Sequence, residues 1–387
     1  MDDCIAEELE VKLARVRAYM RERGLDVLIL RRFDNFAWIT AGGDNRCAGA
    51  TDVGAASVLV TPDDQWVLTS SVEGRRFQEE VLAHIWAGGV FRMGEYPWHC
   101  ETAALINTAD RVAGGDGRAG LSPRLGSDVP LDGAEFVGPE LVRLRYPFTR
   151  GEAERYVGVG QGVARIVEHA AREVRPGQTE RAIAGRVASD LIAAGYFPAV
   201  LLVGADWRVE RYRHPLPTMN RVENYCMIIV CAHRGGLTAA LTRSVHIGEP
   251  SRELSRRHRA AAHICAVMNR RTRAGARWAD VMEAMEEEYR AQGFEDEWRN
   301  HHQGGPIGYQ DREFLVTPAE VSDCDFGVIR PLQAVAWNPS VPGAKSEDSL
   351  LVTDSGPEIA TFGAGWWPMI DIEVEGATVQ RPDILIL

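Results

Sequence analysis

Two pairs of amphipathic helix patterns follow each other after residue 148 and limit the folds that the chain can adopt. The first pair is predicted over 149–174 and 179–194, and the second over 254–272 and 278–292. Strand-like apolar runs lie between and after the pairs, at 199–203, 226–232, 334–337 and 349–353. A repeated helix pair beside several strands predicts an α/β domain with internal pseudo-symmetry and a curved mixed sheet.

The N-terminal part of the chain carries a separate, smaller α/β pattern. Apolar residues lie on one face of a predicted helix over 6–23, and strand-like runs follow it. Tyr146-Pro147-Phe148 interrupts this pattern, and the residues that follow have the spacing of a capping box. Because 387 residues are enough for two cores, we expect one domain over 1–147 and a second over 148–387.

Composition and charge argue against several classes of partner. The formal net charge of −12 disfavours a nucleic-acid partner, because phosphate binding requires a basic face. No stretch is long and apolar enough to span a bilayer, and the acidic start Met1-Asp2-Asp3 is unlike a secretory signal. The seven cysteines form no CxxC pair, which is typical of reduced thiols. We therefore expect a cytoplasmic protein without a nucleic-acid or membrane partner.

Five motifs occur in one order along nearly the whole chain. They are 33–42 (FDNFAWITAG), 214–218 (HPLPT), 241–248 (LTRSVHIG), 304–308 (GGPIG) and 345–348 (KSED). In this order they resemble the creatinase/prolidase/aminopeptidase P family. The resemblance implies a small N-terminal creatinase-like α/β domain, a C-terminal pita-bread domain and a homodimer.

The metal ligands that the resemblance implies are largely missing. The peptidases of the family hold two divalent ions with two aspartates, one histidine and two glutamates. The corresponding positions in this sequence are Ile229 or Val230, Ala240, Gly305, Asn338 and Glu347. Only the last is a carboxylate, and one carboxylate cannot hold two ions. We therefore expect no metal and no other cofactor.

Creatinase is a metal-free member of the family, and the resemblance to it suggests other roles. There a histidine transfers a proton and an arginine binds the substrate carboxylate. His214 lies before a proline-stiffened turn, and a loop histidine can act as acid or base near neutral pH. Arg312 lies in a segment that resembles the one with creatinase's arginine, and a guanidinium matches a carboxylate at two points. The alternatives are a strand-capping histidine and a surface ion pair of Arg312 with Glu313 or Asp311.

Glu347 and Asn338 are the candidates for contact with the nitrogen end of a substrate. A carboxylate can bind a cationic amine or guanidinium, and an amide can add a neutral hydrogen bond. Strand alternation places Lys345 on the same face as Glu347, so an ion pair between these two residues is the alternative.

His302 and Tyr309 complete the predicted substrate-binding set. His302 lies before the 304–308 motif, and Tyr309 follows it directly. His301 and His302 are adjacent, and adjacent residues of an extended segment point to opposite faces. One of them is expected to face the pocket, and the two are not expected to form a paired metal site.

These residues predict a metal-independent enzyme that cleaves a C–N bond, by hydrolysis or elimination, in a small amino-acid-like carboxylate. His214 and Glu347 are its predicted catalytic residues. Its predicted substrate-binding residues are Arg312, Asn338, His302 and Tyr309. Two alternatives remain open: a non-catalytic pita-bread protein that binds a peptide or protein, and an Xaa-Pro peptidase.

Overall fold

The computed structural model describes residues 2–113, 122–317 and 327–387. The chain divides into two compact units, which are Met1–Arg145 with Thr149–Gly151 and Tyr146–Phe148 with Glu152–Leu387. Both units combine helices with β-sheet, which confirms the predicted α/β class. Among the described residues, no helix has the length and apolar character needed to cross a membrane.

A six-stranded mixed sheet organises the N-terminal unit. Its strands are β1 Val27–Arg32, β2 Val53–Val60, β3 Gln65–Ser70, β4 Arg92–Tyr96, β5 Leu125–Ser127 and β6 Glu135–Phe136. The order across the sheet is β4-β3-β2-β1-β5-β6, and only the β1–β2 and β2–β3 pairs are antiparallel. The helices are α1 Asp3–Arg23, α2 Phe33–Ile39, α3 Gly74–Arg76, α4 Ala83–Trp86, α5 Glu101–Ala113 and α6 Gly138–Arg145. Short 3₁₀ or π turns are left unlabelled.

The first helix forms as its apolar periodicity predicts. The buried positions of α1 include Leu9, Leu13 and Val16, which lie on one face. Gly24 ends the helix in the left-handed conformation, with a φ of +66°, which glycine adopts without a steric penalty.

Four long helices and one short helix belong mainly to the C-terminal unit. They are α7 Arg150–Arg172, α8 Glu180–Ala193, α9 Trp207–Arg211, α10 Arg252–Arg271 and α11 Trp278–Ala291. The four long helices match the two predicted pairs to within about two residues at each end, as is usual for helix boundaries.

Twelve strands lie in the described residues of the C-terminal unit. They are β7 Phe197–Ala205, β8 Tyr225–Arg234, β9 Leu237–His246, β10 Gly304–Ile307, β11 Ala334–Trp337, β12 Ser340–Val341, β13 Ala344–Lys345, β14 Asp348–Thr353, β15 Gly356–Ile359, β16 Met369–Val374, β17 Ala377–Pro382 and β18 Leu385–Ile386. The two four-stranded sheets have the orders β18-β9-β8-β7 and β10-β11-β14-β15, and the pairs β12–β13 and β16–β17 stand beside them.

Hydrogen bonds from β9 join the two four-stranded sheets beside the start of β14. The Thr242 amide donates to the Glu347 carbonyl at 3.0 Å, and the Ala240 amide donates to the Ser349 hydroxyl at 2.8 Å. Trp337 of β11 pairs with Asp348 of β14. Asn338 follows Trp337 and Glu347 precedes Asp348, so these two residues lie just beyond the paired ends of neighbouring strands at this join.

Candidate active site

Glu347 is the centre of a buried charged cluster at the join between the sheets. Its side chain is only 2% exposed. The Arg312 guanidinium donates from Nη2 to Oε1 at 3.1 Å, and the Thr242 hydroxyl donates to Oε2 at 2.7 Å. The Lys345 ammonium lies 3.9 Å from Oε2 and is itself 4% exposed. Two protein cations therefore share one buried carboxylate.

The charges in this cluster shift each other's ionisation. Burial alone would raise the pKa of Glu347, but Lys345, Arg312 and the Thr242 hydroxyl together lower it below its ordinary value. Burial lowers the pKa of Lys345, and the attraction of Glu347 only partly offsets this. The carboxylate is therefore held ionised, whereas the ammonium loses its proton more readily than an exposed lysine.

Three histidines from two separate segments meet beside this cluster. His214 lies on the exposed loop between α9 and β8, and its Nε2 is 3.0 Å from Nε2 of His301. The rings of His301 and His302 stack, with centroids 4.5 Å apart and planes inclined by 29°. The ring centroids of His214 and His302 are 6.2 Å apart. The predicted site residues His214 and His302 are thus brought together through His301.

The expectation that His301 and His302 point to opposite faces is wrong. The alternation rule holds inside a continuous strand, but residues 301–303 lie in no regular element. They connect a 3₁₀ turn at Glu297–Asn300 to β10, which begins at Gly304. In this connection the two rings stack on the same side.

All three imidazoles are held neutral near pH 7. Burial, with the charge of Arg312 second, lowers the pKa of His302 to about 4. Burial also lowers the pKa of His301, more strongly, and the pKa of His214, where the charge of Lys345 adds to the effect. The Nδ1 atoms of His301 and His302 are buried and have no hydrogen-bond partner in the described parts of the chain.

Asn338 and Tyr309, the other two predicted substrate-binding residues, have different surroundings. Asn338 is 3% exposed, and no group among the described residues bonds to its buried Oδ1. The Tyr309 hydroxyl donates to the Glu152 carboxylate at 2.6 Å, and the Tyr309 amide donates to Glu313 at 2.9 Å. Asn338 therefore has a free acceptor beside Glu347, whereas the polar groups of Tyr309 bond to glutamates outside the cluster around Glu347.

A second ion network fixes the strand that carries the site. Asp348, the neighbour of Glu347, accepts hydrogen bonds from Arg243 at 3.0 Å, from Thr361 at 2.8 Å and from Arg381. All these side chains are fully buried or nearly so. Because a buried charge is tolerated only when it is paired, this network holds the start of β14 in one position.

Comparison of the sequence with known protein families assigns the chain to one of them. Residues 156–354, just over half of the chain, match the model of metallopeptidase family M24. The chain belongs to metallopeptidase family M24. This confirms the resemblance to the creatinase/prolidase/aminopeptidase P family and the predicted pita-bread fold. None of the curated proteins matches the chain.

Solved structures of M24-type proteins share the fold at low identity. An Xaa-Pro dipeptidase from Bacillus anthracis has a TM-score of 0.72 at 16% identity, covering 98% of this chain and 100% of that chain. The prolidase from Pyrococcus horikoshii OT3 has a TM-score of 0.73 at 16% identity, with 91% and 98% covered. The N-terminal domain of FACT complex subunit SPT16 from Eremothecium gossypii has a TM-score of 0.62 at 12% identity, with 92% and 96% covered.

The residues at the join do not fit the metal pair expected of an M24 peptidase. Both oxygens of Glu347 are already bonded, and cations stand beside them. The β9 side chain that contacts Glu347 is the Thr242 hydroxyl, while Ala240, the predicted aspartate position, is tied by its backbone to Ser349. Burial raises the pKa of the neighbouring Cys231 thiol to about 12, so this thiol stays protonated and is a poor ligand.

The histidine position of the M24 motif is also closed. Gly305 has no room for a side chain, because an added Cβ would lie 2.5 Å from the Phe314 carbonyl oxygen. The chain has therefore lost the ligands and also the space for the histidine.

Lys345, Thr242 and His301 are the members of the site that sequence reasoning did not assign to it. The sequence suggests Lys345 only as an ion-pair partner of Glu347, and Thr242 only as part of a motif. The position of Lys345 carries this information in the sequence. In an extended segment, a lysine two residues before a carboxylate points to the same side as that carboxylate.

Proposed function

We propose that this M24-family chain is an enzyme that cleaves a C–N bond in a small amino-acid-like carboxylate without the family's pair of metal ions. The observation that supports this proposal is the pair of cations, Arg312 and Lys345, around the buried carboxylate of Glu347. The protein itself supplies positive charge beside Glu347, which suits an anionic substrate and does not suit a pair of metal ions at this carboxylate.

Arg312 is the proposed anchor for the substrate carboxylate. One of its nitrogens bonds to Glu347, whereas its buried Nε has no partner among the residues described. A buried N–H without a partner is costly, and a carboxylate oxygen would satisfy it. Lys345 adds a second positive charge at the same place. Glu347 positions both cations and, with the free Oδ1 of Asn338, accepts hydrogen bonds from substrate nitrogen.

His214 is the proposed proton donor to the leaving nitrogen. When His214 donates from Nε2 to Nε2 of His301, its Nδ1 carries no proton and can accept one from water. In hydrolysis, the water oxygen adds to carbon as Nδ1 takes the water proton, and the C–N bond breaks. The imidazolium then gives this proton to the leaving nitrogen, which returns His214 to its neutral form. His301 acts here as a positioning residue.

A non-catalytic role in binding a peptide or protein is the second candidate. It is supported by the segment from α9 to the loop around His214, where Trp207, Leu216 and Met219 are 54%, 69% and 62% exposed. Exposed apolar side chains in one segment are a common feature of binding surfaces. Similarity in fold to a subunit of the FACT complex is compatible with this role. An Xaa-Pro peptidase ranks last, because its chemistry needs the missing ligands.

A ligand screen tests the proposal directly. Thermal shift with amino acids, guanidino acids and cyclic amidines should identify a carboxylate that stabilises the wild type, because a ligand that binds only the folded state raises its stability. Turnover of that ligand, followed by release of amine or ammonia, should fall at least about a hundredfold in His214→Asn, the scale of general acid catalysis. A ligand turned over equally well by His214→Asn would contradict the assignment, and binding of peptides alone would support the second candidate.

A further inference from the structure

We infer that His214, His301 and His302 form a binding site for one transition-metal ion, at ligand positions different from those of the M24 motif. The part of this inference that concerns activity rests on the proposed function, whereas the binding site itself does not. Each of the three residues can offer one imidazole nitrogen, and these nitrogens all lie within 4.8 Å of one another.

The spacing is close to that of a tetrahedral site. Two imidazole nitrogens bound to one Zn²⁺ at 2.0–2.1 Å are about 3.3–3.4 Å apart when the angle is tetrahedral. Nε2 of His214 and Nε2 of His301 are 3.0 Å apart, so a small rotation of either ring makes room for an ion. The nitrogen of His302 must move by about 1.5 Å at most, which a change in ring torsion provides.

His301 and His302 each have one ring nitrogen that no hydrogen bond among the described residues holds in place. The buried Nδ1 atoms of His301 and His302 have no hydrogen-bond partner among the described residues, so these rings can turn without breaking a bond at that atom.

The surrounding charges select the kind of ion. Lys345, Arg312 and Arg213 oppose any cation at the histidines, and Glu347 favours one. A hard ion such as Mg²⁺ or Ca²⁺ depends on charged oxygen ligands, so it gains nothing here. Zn²⁺, Co²⁺, Ni²⁺ and Cu²⁺ form strong bonds to neutral imidazole and are the ions that this site would take.

Such an ion would inhibit the proposed reaction. His214 cannot ligate a metal through Nε2 and keep its hydrogen bond with His301, which orients the His214 ring. The metal therefore removes the arrangement on which proton donation to the substrate depends. A chelated preparation should turn over its substrate, and one equivalent of Zn²⁺ should stop it.

The binding site is tested without substrate. Protein dialysed against chelator is titrated with Co²⁺ and Zn²⁺, followed by calorimetry and by the visible absorption of Co²⁺. We expect one equivalent with the intense absorption of a tetrahedral ion, and an affinity that falls at least about tenfold, or 1.4 kcal/mol, in His302→Ala and in His301→Gln. His99→Ala, which removes an exposed histidine of the N-terminal unit, is the matched control and should bind as the wild type does.

The outcomes separate this inference from the proposed function. Absence of Co²⁺ and Zn²⁺ binding by the folded protein, or equal binding by His302→Ala, His301→Gln and wild type, would overturn the histidine site. Two equivalents of metal that disappear in Glu347→Gln but persist in His302→Ala would overturn it too, in favour of an M24-type centre. Circular dichroism and the melting temperature confirm that each variant is folded. A ligand screen without hits leaves the metal titration unaffected.

Discussion

The Arg312 guanidinium donates to the buried carboxylate of Glu347 at 3.1 Å and keeps its Nε unbonded among the described residues. The same side chain thus has a structural bond and a free donor. The ion pair with Glu347 and the proposed binding of a carboxylate can be separated by substitution. A residue that keeps the positive charge keeps most of the ion pair but loses the planar geometry that binds a carboxylate.

Arg312→Lys should therefore fold almost normally and bind a carboxylate ligand at least about tenfold more weakly, because an ammonium cannot make two parallel hydrogen bonds. Arg312→Ala should also cost about 2–4 kcal/mol of folding stability, because Glu347 loses a buried partner while Lys345 and Thr242 remain. Urea unfolding measures the folding stability, and ligand-induced thermal shift measures the binding of the carboxylate. Equal ligand responses in Arg312→Lys and wild type would assign Arg312 a purely structural role.

Lys345→Met should abolish carboxylate binding without loss of folding stability. The pKa of Lys345 is lowered from 10.5, which means that its charged form is less favourable in the folded chain than in the unfolded one. The unfolded state then binds more protons, so this group makes the protein more stable as the pH rises from the lowered value towards 10.5. Urea unfolding between about pH 7 and 10 should show a smaller rise for Lys345→Met than for wild type. A variant markedly less stable than wild type at pH 7 would instead show that the ammonium stabilises the fold.

The proposed reaction should not need a metal pair. Chelator treatment should not reduce turnover or ligand-induced stabilisation, since the residues around Glu347 do not fit two ions. Elemental analysis should find at most one equivalent of transition metal per chain. Two equivalents of manganese, cobalt or zinc, together with activity lost to chelator and restored by metal, would refute metal independence.

Gly305→Ala should destabilise the protein because the Cβ would lie 2.5 Å from the Phe314 carbonyl oxygen, which belongs to the backbone and cannot rotate away. We expect a loss of about 1–3 kcal/mol by thermal or urea unfolding, as for overpacking elsewhere. Gly158→Ala in α7 is the control, because an added Cβ there meets nothing within 4 Å and alanine favours the helix. Similar stabilities for the two variants would mean that the histidine position is not sterically closed.

A homodimer is the expected assembly, by resemblance to creatinase-like proteins and because two-fold pairs are the commonest oligomers. Light scattering at micromolar concentration should give about twice the chain mass of 42.7 kDa. A mass of one chain over the whole concentration range would remove this proposal.

The elements with strong periodicity were predictable from the sequence, and the contacts between distant segments were not. The four long helices follow from apolar spacing and capping residues, and β11 follows from its apolar run. The hairpin β16–β17 carried a usable signal, since Ile370, Ile372 and Val374 alternate with exposed residues, but it was not assigned. Stacking of His301 on His302 depends on a turn between regular elements, where alternation gives no guidance.

The site was predictable only where one segment carried the information. Motif positions alone single out Arg312, Glu347 and His214 as candidates. The contact of Thr242 with Glu347 joins residues 105 positions apart, and the approach of His214 to His301 joins residues 87 positions apart. Such pairs are set by how the sheets join and not by any local pattern.

Adjacent carboxylates at 347 and 348 belong to different networks. Glu347 meets Arg312, Lys345 and Thr242, whereas Asp348 meets the fully buried arginine Arg381. The fold needs Asp348 whatever reaction the chain carries out, because without it the buried Arg381 would lose a counter-charge. The carboxylate at position 348 therefore meets a requirement of folding. Only Glu347, together with Arg312 and Lys345, bears on whether the chain can carry out the proposed reaction.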